Sequence, residues 1–301
     1  MEEQKLSRLQ SLYLNNYKKL AIIPIIILIL SVSFLFIQLS TKGYFIDKDV
    51  SLKGGISATI SSDKDFNLIE LEEKLKANFL DSDVSVRKLE DLTTRSSTGI
   101  TIDITNAKSD DLKSFLEKEY NLELTNENFS IQEVGATLGE SFFKELIRAV
   151  IFSFLFMSIV VFIAFRKLVP SIGVILTAAT DIIATLAFIS FLDVKLTSGG
   201  IAAFLLLIGY SIDSDMVLTT KLIKRESEAK LHERLTSSIK TGVTMTMTAL
   251  AAVGVGMLIT NSLVIKQIFL IIFVGLIIDL IVTYLGNGPL LIWYLKKHEK
   301  V

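Results

Sequence analysis

Six apolar segments, each long enough to cross a lipid bilayer, decide what this chain can fold into. A bilayer core about 30 Å thick needs about 20 mostly apolar residues, and a helix satisfies their backbone hydrogen bonds internally. The predicted spans are Leu20–Leu39, Leu146–Phe165, Val169–Leu192, Leu196–Thr220, Thr241–Thr260 and Gln267–Leu295. The sequence therefore predicts an α-helical membrane protein with six transmembrane helices, one before and five after a long polar insert.

The composition agrees with a membrane protein that carries one sizeable polar part. Half of the 301 residues are hydrophobic and the mean hydropathy is +0.54, yet 21% are charged. Zero cysteines exclude disulfides and thiolate metal sites, and the two histidines, His232 and His298, lie in charged stretches. The sequence also lacks a glycine-rich phosphate loop. We therefore expect no enzyme, no cofactor and no metal site, and the net charge of −1 gives no indication of nucleic-acid binding.

The polar insert, residues 43–139, has short periodicities that predict a small α+β domain. Alternating apolar residues predict four strands, at Ile56/Ala58/Ile60, Val84/Val86, Ile100/Ile102/Ile104 and Phe129/Ile131. Apolar residues at helical spacing predict two helices, at Leu68, Leu71, Leu75 and Phe79 after an Asn67 cap, and at Leu112, Phe115, Leu116 and Tyr120 after a Ser109 cap. The resulting order, β-α-β-β-α-β, is the ferredoxin-like arrangement.

Lysine and arginine are distributed unequally between the two sides of the predicted bundle. Four precede the first span, two follow the second, six lie between residues 221 and 240, and three follow the last span. The opposite loops have one each, Lys195 and Lys266. By the positive-inside rule both termini are cytoplasmic and the insert is external, in a plasma membrane. The predicted parts are the N-terminus with the first helix, the external domain, the five-helix bundle and a cytoplasmic tail, at 1–42, 43–139, 140–295 and 296–301.

Aspartates inside the predicted spans are the strongest candidates for function, because an ionised side chain costs about 2.5–3.5 kcal/mol at a helix centre. Asp213 and Asp215 are two residues apart and so face roughly opposite sides of their helix. At 1.5 Å per residue they lie ~9–12 Å from Lys221. Two interpretations stay open for both: they couple transport to protons or ions, or they reach into the cytoplasmic interface.

Two further aspartates lie near the middle of their spans. Asp181 has Thr177 and Thr185 four residues away on either side, which makes one polar stripe. It is either a coupling residue or a structural hydrogen-bond partner of a neighbouring helix. Asp279 is a secondary candidate, either as a second functional carboxylate or as a helix contact shielded from lipid.

One cation accompanies these acids. Lys240 starts a second polar stripe with Thr244 and Thr248 on the fifth span. It is either an electrostatic partner of Asp213 or Asp215, or a plain anchor at the end of its helix. We keep it with the aspartates as a candidate for proton or ion coupling.

The last predicted span is too long for one straight helix. It contains Gly286-Asn287-Gly288-Pro289, a run that predicts a kink or an end. Leu290–Leu295 would then lie near the interface, where Trp293 and Tyr294 are typical.

Several short motifs carry a resemblance to a known family. The most specific is Gly209-Tyr210-Ser211-Ile212, because bacterial members have Gly-Tyr-Ser-Ile-Asn-Asp there; this chain has Asp213-Ser214 in place of Asn-Asp. Weaker matches lie at Gly54-Gly55, Val134–Gly139, Thr180–Ile182, Val194–Thr197 and Lys240–Thr244. With its order of helices, the chain from about residue 18 to 295 is similar to SecF proteins of the SecD/SecF family, in the RND (resistance-nodulation-division) superfamily, and looks like the archaeal branch.

The resemblance implies an accessory subunit of the Sec protein-export machinery. Members pair with SecD, associate with the SecYEG channel and help move secreted polypeptides through the membrane lipid, and bacterial members suggest coupling to the proton gradient. Two alternatives stay open. The first is an RND-type half-exporter of lipid or small hydrophobic compounds, although such exporters normally carry both halves in one chain. The second is a passive assembly subunit that uses no energy.

Overall fold

The computed structural model consists of a helical membrane bundle with a small α+β domain inserted after the first span. It describes residues 8–62, 66–80, 82–90, 97–105, 107–120, 123–125, 128–223, 230–260 and 262–298. Within these residues six helices are long and apolar enough to cross a membrane. The predicted order of one helix, a domain and five helices is therefore confirmed. Residues 299–301 of the predicted tail lie outside the described residues.

The six spans are built from six long helices and two shorter ones. The first span is formed by α1 (Arg8–Leu20) and α2 (Ile22–Lys42), which are separated only by Ala21. The next four spans are α6 (Ala136–Phe165), α7 (Leu168–Phe191), α8 (Ser198–Ile223) and α9 (Leu231–Ile259). The sixth consists of α10 (Leu263–Val282), a π-helical turn (Thr283–Asn287) and α11 (Gly288–His298).

Two of these helices begin about ten residues before the predicted spans. The apolar pattern marks only the section inside the bilayer, whereas helical hydrogen bonding continues into water. In α6 the added turns carry an ion pair between Glu140 and Lys144, four residues apart and 2.8 Å between charged atoms. In α9 the added turns place Arg234 so that its guanidinium donates to the Leu222 carbonyl at the end of α8.

The inserted domain has the predicted ferredoxin-like topology. Its strands are β1 (Gly55–Ser61), β2 (Val84–Glu90), β3 (Ser97–Ile104) and β4 (Phe129–Val134), in the order β2-β3-β1-β4 with every pair antiparallel. Helices α4 (Leu68–Asn78) and α5 (Ser109–Tyr120) cover one face. The alternating isoleucines of β1 and β3 form the core with Leu71, Leu75, Leu112 and Leu116. These are the inward positions that the alternation predicts.

The two predicted helix caps differ in outcome. The Asn67 side chain accepts a hydrogen bond from the Glu70 backbone N–H at 3.4 Å, so it caps α4 as predicted. Ser109 is instead the first residue of α5, and the cap lies one residue earlier, because the Lys108 carbonyl already accepts from the Leu112 N–H at 3.2 Å. The prediction for Ser109 is therefore wrong by one position, the usual uncertainty at helix ends.

The domain is tied to the bundle through the segment that precedes β1. There the Asp49 N–H donates to the Leu196 carbonyl at 2.9 Å, and the Leu196 N–H donates to the Asp47 carbonyl at 2.7 Å. The short helix α3 (Val50–Lys53) follows and leads into Gly54-Gly55. Gly55 has φ +139°, and a Cβ there would overlap the Ile104 carbonyl oxygen. This glycine pair serves a close backbone approach where the domain begins.

Candidate functional site

Three aspartates from three different helices lie in the interior of the membrane bundle. Asp181 is on α7, Asp215 on α8 and Asp279 on α10, and none is more than 1% exposed. Helix α8 brings them together because it packs against α6, α7, α9 and α10. Close approach of α10 depends on Gly275, where a Cβ would lie 2.5 Å from the Leu207 side chain.

Asp215 is held by donors from two neighbouring segments. The Thr177 hydroxyl on α7 donates to one carboxylate oxygen, and the Asn287 amide donates to the other at 2.8 Å. The same Asn287 amide lies 3.3 Å from the Thr219 hydroxyl oxygen, one turn after Asp215 on α8. Both oxygens of Asp215 therefore have fixed partners inside the bundle.

Asp181 and Asp279 form a second group directly beside it. The Ser211 hydroxyl donates to Asp181 at 2.5 Å, and the Ser214 hydroxyl donates to Asp279 at 2.8 Å. Thr283 lies 3.2 Å from the other oxygen of Asp279. Among the described residues, the other oxygen of Asp181 is buried and has no hydrogen-bond partner. Two ionised carboxylates buried in one group of side chains repel each other, so this group is suited to bind a proton.

The π-helical turn places two of the donors. In this turn the Gly288 N–H bonds to the Thr283 carbonyl, five residues earlier, instead of four. Pro289 has no N–H, and its ring would meet the carbonyl four residues before it in an unbroken α-helix. The wider turn relieves that clash and points Thr283 and Asn287 at Asp279 and Asp215. The predicted break at Gly286–Pro289 is thus a π-helical turn within a continuous span, and it supplies two residues of the candidate site.

Positive charge does not compensate these acids. Among the described residues, none of the three aspartates forms an ion pair with lysine or arginine. A buried ion without a partner costs several kcal/mol, so the group must hold protons or a cation to stay in the bundle. No set of three His, Cys, Asp or Glu side chains in the described chain has metal-site geometry. The chemistry that fits is binding and release of a proton or a monovalent cation.

Asp213 has a different environment from Asp215. It is exposed on the outer face of α8, where it lines a cavity of about 370 Å³ with Tyr210, Met245 and Thr248. The structure thus places the two aspartates on different sides of α8, as their spacing predicts. Asp213 forms no ion pair with Lys221 among the described residues. The Lys221 ammonium instead donates to the Thr241 hydroxyl at 2.6 Å.

Lys240 lies on α9, which packs against α8. Lys240, Thr244 and Thr248 are all exposed. Within the described residues Lys240 forms no ion pair with Asp213 or Asp215, so the structure does not bring these candidates together. The exposed polar residues of these two helices, Tyr210, Asp213, Lys240, Thr244 and Thr248, are called the α8–α9 face below.

Comparison with known proteins identifies the family of this chain. The model of the C-terminal part of the protein-export membrane proteins SecD and SecF matches residues 115–297. A SecF protein of Methanolacinia petrolearia is 36% identical over 95% of this chain and 98% of its own length, and one of Methanocaldococcus jannaschii is 34% identical over 95% and 98%. The chain belongs to the SecD/SecF family. The resemblance seen in the motifs is confirmed.

A solved structure supports the fold of this family member. The crystal structure of SecDF from Thermus thermophilus has a TM-score of 0.74 to this chain at 17% identity, over 94% of this chain and 38% of the other. A second structure of SecDF, in a super-membrane-facing form, gives 0.55 at 15% identity. This chain therefore spans well under half of that protein, and at such identities the likeness shows the fold alone.

The family pattern also explains which residues the sequence reasoning missed. The position that corresponds to the bacterial Asp of Gly-Tyr-Ser-Ile-Asn-Asp is Ser214, and its hydroxyl donates to Asp279. A carboxylate from α10 thus contacts the side chain at this position. Thr283 and Asn287 were not identified as site residues. The one feature of the sequence that could have identified them is their polarity inside a span. The neighbouring glycines and proline led instead to the interpretation of this segment as a kink or a helix end.

Proposed function

We propose that the chain is one half of a paired membrane machine that assists Sec protein export, with a SecD-type subunit as the other half. Membership in the family makes it an accessory subunit of Sec protein export, and its six apolar helices make it a multi-pass membrane protein. The SecDF of Thermus thermophilus is described as a translocon-associated membrane protein, and this chain corresponds to 38% of it. That length leaves room in the relative for a second half, which supports a separate partner here.

The α8–α9 face is the observation that carries the pairing. Its carboxylate, ammonium and hydroxyl groups are exposed on helices of membrane length. An ionised carboxylate against lipid costs about 2.5–3.5 kcal/mol at the centre of a span. Asp213 therefore needs protein rather than lipid beside it, whereas Lys240 lies at the cytoplasmic end of its span. A polar helix of a SecD-type partner meets this need.

The buried aspartates supply the energy coupling in this proposal. Protonation of the cluster formed by Asp181, Asp215 and Asp279 changes its hydrogen bonds to α8 and α10, and so changes how these helices pack. Each proton that crosses 100 mV is worth about 2.3 kcal/mol, enough that a few protons move a domain. The segment from Asp47 to Gly55 connects the bundle to the ferredoxin-like domain and transmits the movement.

The orientation in the membrane follows from charge. The N-terminal segment, the 166–167 turn and the last helix are rich in lysine and arginine, which supports cytoplasmic termini in a plasma membrane. Residues 43–139 then lie outside. In this place the domain meets a secreted polypeptide as it leaves the SecYEG channel, and holds and releases it in turn.

The test measures gradient-driven export by vesicles that contain this chain, a SecD-type subunit and SecYEG. We expect Asp215→Asn and Asp279→Asn to reduce export under an ion gradient to the rate without one, because asparagine keeps the shape but binds no proton. Asp193→Asn is the matched control, since Asp193 lies in an exposed loop with 85% of its side chain accessible. Sodium and proton gradients are applied separately to identify the ion.

Two outcomes would contradict the proposal. If all three buried aspartates tolerate asparagine with full gradient stimulation, the cluster is structural and the passive assembly role is favoured. If a mild-detergent pull-down of the tagged chain from its native membrane recovers no second six-helix subunit, the pairing is wrong.

A further inference from the structure

The two edges of the domain's sheet differ in how they are protected. The edge strand β2 carries the charged side chains of Arg87 and Lys88, and its register with β3 shifts at Leu89/Glu90. Charges and bulges of this kind prevent a sheet from pairing with another strand. The opposite edge, β4, reads FSIQEV, with Glu133 as its single charge and no proline. It pairs with β1 in unbroken register from Gly55↔Val134 to Ile60↔Phe129.

The outer side of β4 is open. In the part of the chain that the structure describes, β4 pairs with β1 and with no other strand. Ser130, Gln132 and Glu133 are exposed. A strand of six residues, about 20 Å long, thus presents unpaired backbone donors and acceptors at this edge.

A polar groove lies at the foot of this edge. The face of the sheet that α4 and α5 leave uncovered has Thr59, Thr101, Ser130 and Gln132, and it stands over the outer ends of α9 and α10. Together they enclose a cavity of about 460 Å³. Three charged residues, Asp49, Arg87 and Lys266, also line it. The Arg87 charge is engaged by Asp103, which in turn accepts from Ser57 at 2.7 Å. The hydroxyl and amide groups of this sheet face, which both donate and accept, match a peptide backbone.

We propose that β4 and this groove bind an extended segment of the polypeptide under export, by adding it as a fifth strand to the sheet. Strand addition uses main-chain hydrogen bonds and is therefore tolerant of sequence, as a machine with many substrates requires. The inference rests on the proposed function in protein export and places its substrate-binding site.

The direction of β4 fits this occupant. The strand ends at Val134, and the membrane helix α6 begins two residues later at Ala136. A segment paired with β4 therefore leads from the membrane surface outward. Two copies of this chain that paired antiparallel through β4 would send their α6 helices out at opposite ends of the joined strands. One membrane cannot hold both, so an antiparallel second copy does not fit.

The experiment uses the natural lack of cysteine in the full chain. Gln132→Cys is combined, in vesicles with the SecD-type subunit and SecYEG, with a secretory polypeptide that is stalled part-way by a folded C-terminal domain. One cysteine is moved along that polypeptide, and disulfide formation is measured. Lys113→Cys is the control, because Lys113 is 45% exposed on α5, on the covered side of the sheet.

We expect disulfides from Gln132→Cys to be at least several-fold more frequent than from Lys113→Cys. Their yield should alternate with every second substrate residue, because side chains of a strand alternate between its faces. Ser130→Lys, placed beside the reporter cysteine, should reduce the yield several-fold by charging the edge.

Three results would overturn the inference. They are equal yields at Gln132→Cys and Lys113→Cys, a disulfide that joins two copies of this chain, and a disulfide to the SecD-type subunit in place of the substrate. Failure of the proposed function is a separate result: export would then proceed at the same rate without this chain. If export depends on the chain and no substrate disulfide forms at β4, only the binding site is wrong.

Discussion

Aspartates of this protein that are close in sequence have very different surroundings. Asp213 and Asp215 have the same chemistry and are two residues apart, yet one is exposed on α8 and the other is fully buried between Thr177 and Asn287. The difference matters because a buried donor or acceptor that loses its partner costs about 1–3 kcal/mol. Asn287 is therefore a residue at which a small change has a large effect.

Asn287→Ala should lower the unfolding temperature of the purified protein in detergent. The change removes the amide that donates to Asp215 at 2.8 Å and leaves that oxygen without a partner inside the bundle. We expect a loss of about 1–3 kcal/mol, which calorimetry detects as a lower transition temperature. Asn78→Ala, at the exposed end of α4, is the control and should have little effect. Equal transitions for both variants would show that Asn287 does not hold Asp215.

Asp49 gives the domain a dependence on pH. Burial, and then the neighbouring charge of Asp103, raise the pKa of Asp49 in spite of the opposing Arg87 charge. The folded protein therefore binds this proton more tightly than the unfolded chain does. The corresponding stabilisation is complete below the unfolded pKa of about 3.9 and is lost as the pH rises through the raised folded pKa.

Asp49→Asn should remove this loss. Asparagine keeps an oxygen that accepts from the Val50 N–H, as Asp49 does at 2.7 Å, but it carries no charge to desolvate. Calorimetry from below the unfolded pKa of about 3.9 up to neutral pH should show a smaller decline of stability with rising pH for the variant. Parallel curves for the two proteins would contradict the assignment to Asp49.

At the residue scale, the sequence predicts that aspartates matter but not how they are grouped. The spacing of Asp213 and Asp215 predicts that they face different sides of a helix. Which side is buried depends on α7 and α10, whose positions follow from packing rather than from local pattern. The meeting of Asp181, Asp215 and Asp279 is likewise a property of three helices together.

Helices and strands were predictable where one physical signal dominates. Alternating isoleucines located β1 and β3, and apolar length located the spans. The π-helical turn was located but not identified, because glycine and proline mark only a break. Its geometry depends on which donors bond to the carbonyl groups that the turn leaves free. One of these, the Tyr284 carbonyl, accepts a hydrogen bond from the Tyr13 hydroxyl on α1.

Tyr13→Phe should loosen the π-helical turn. The change keeps the ring that packs near α11 but removes the donor to the Tyr284 carbonyl. We expect faster hydrogen exchange over residues 283–289 and a loss of about 1–3 kcal/mol in stability. Tyr17→Phe is the matched control on the same helix, since its ring stays beneath the Lys296 ammonium, 4.8 Å from the ring centre. Equal exchange in both variants would mean that α1 does not support the turn.

In the whole molecule, polar residues are buried on one face of α8 and exposed on the other. α8 buries one face against α7 and α10, where Asp215 and Asp279 find their partners. Its other face, with α9, leaves Asp213 and Lys240 exposed on helices of membrane length. The sequence alone did not separate these faces, because both contain small and polar residues among apolar ones. This asymmetry supports the proposal that another subunit covers the α8–α9 face.

Two glycines on these opposite faces test this asymmetry. A Cβ at Gly275 would lie 2.5 Å from the Leu207 side chain, whereas a Cβ at Gly209 meets nothing within 4 Å. Gly275→Leu should therefore separate α8 from α10 and lower the unfolding temperature of the purified chain. Gly209→Leu should leave that temperature unchanged but prevent co-purification of the SecD-type subunit. If Gly209→Leu retains the partner, the α8–α9 face borders lipid, and the exposed Asp213 must then be stabilised by neutralisation rather than by a second subunit.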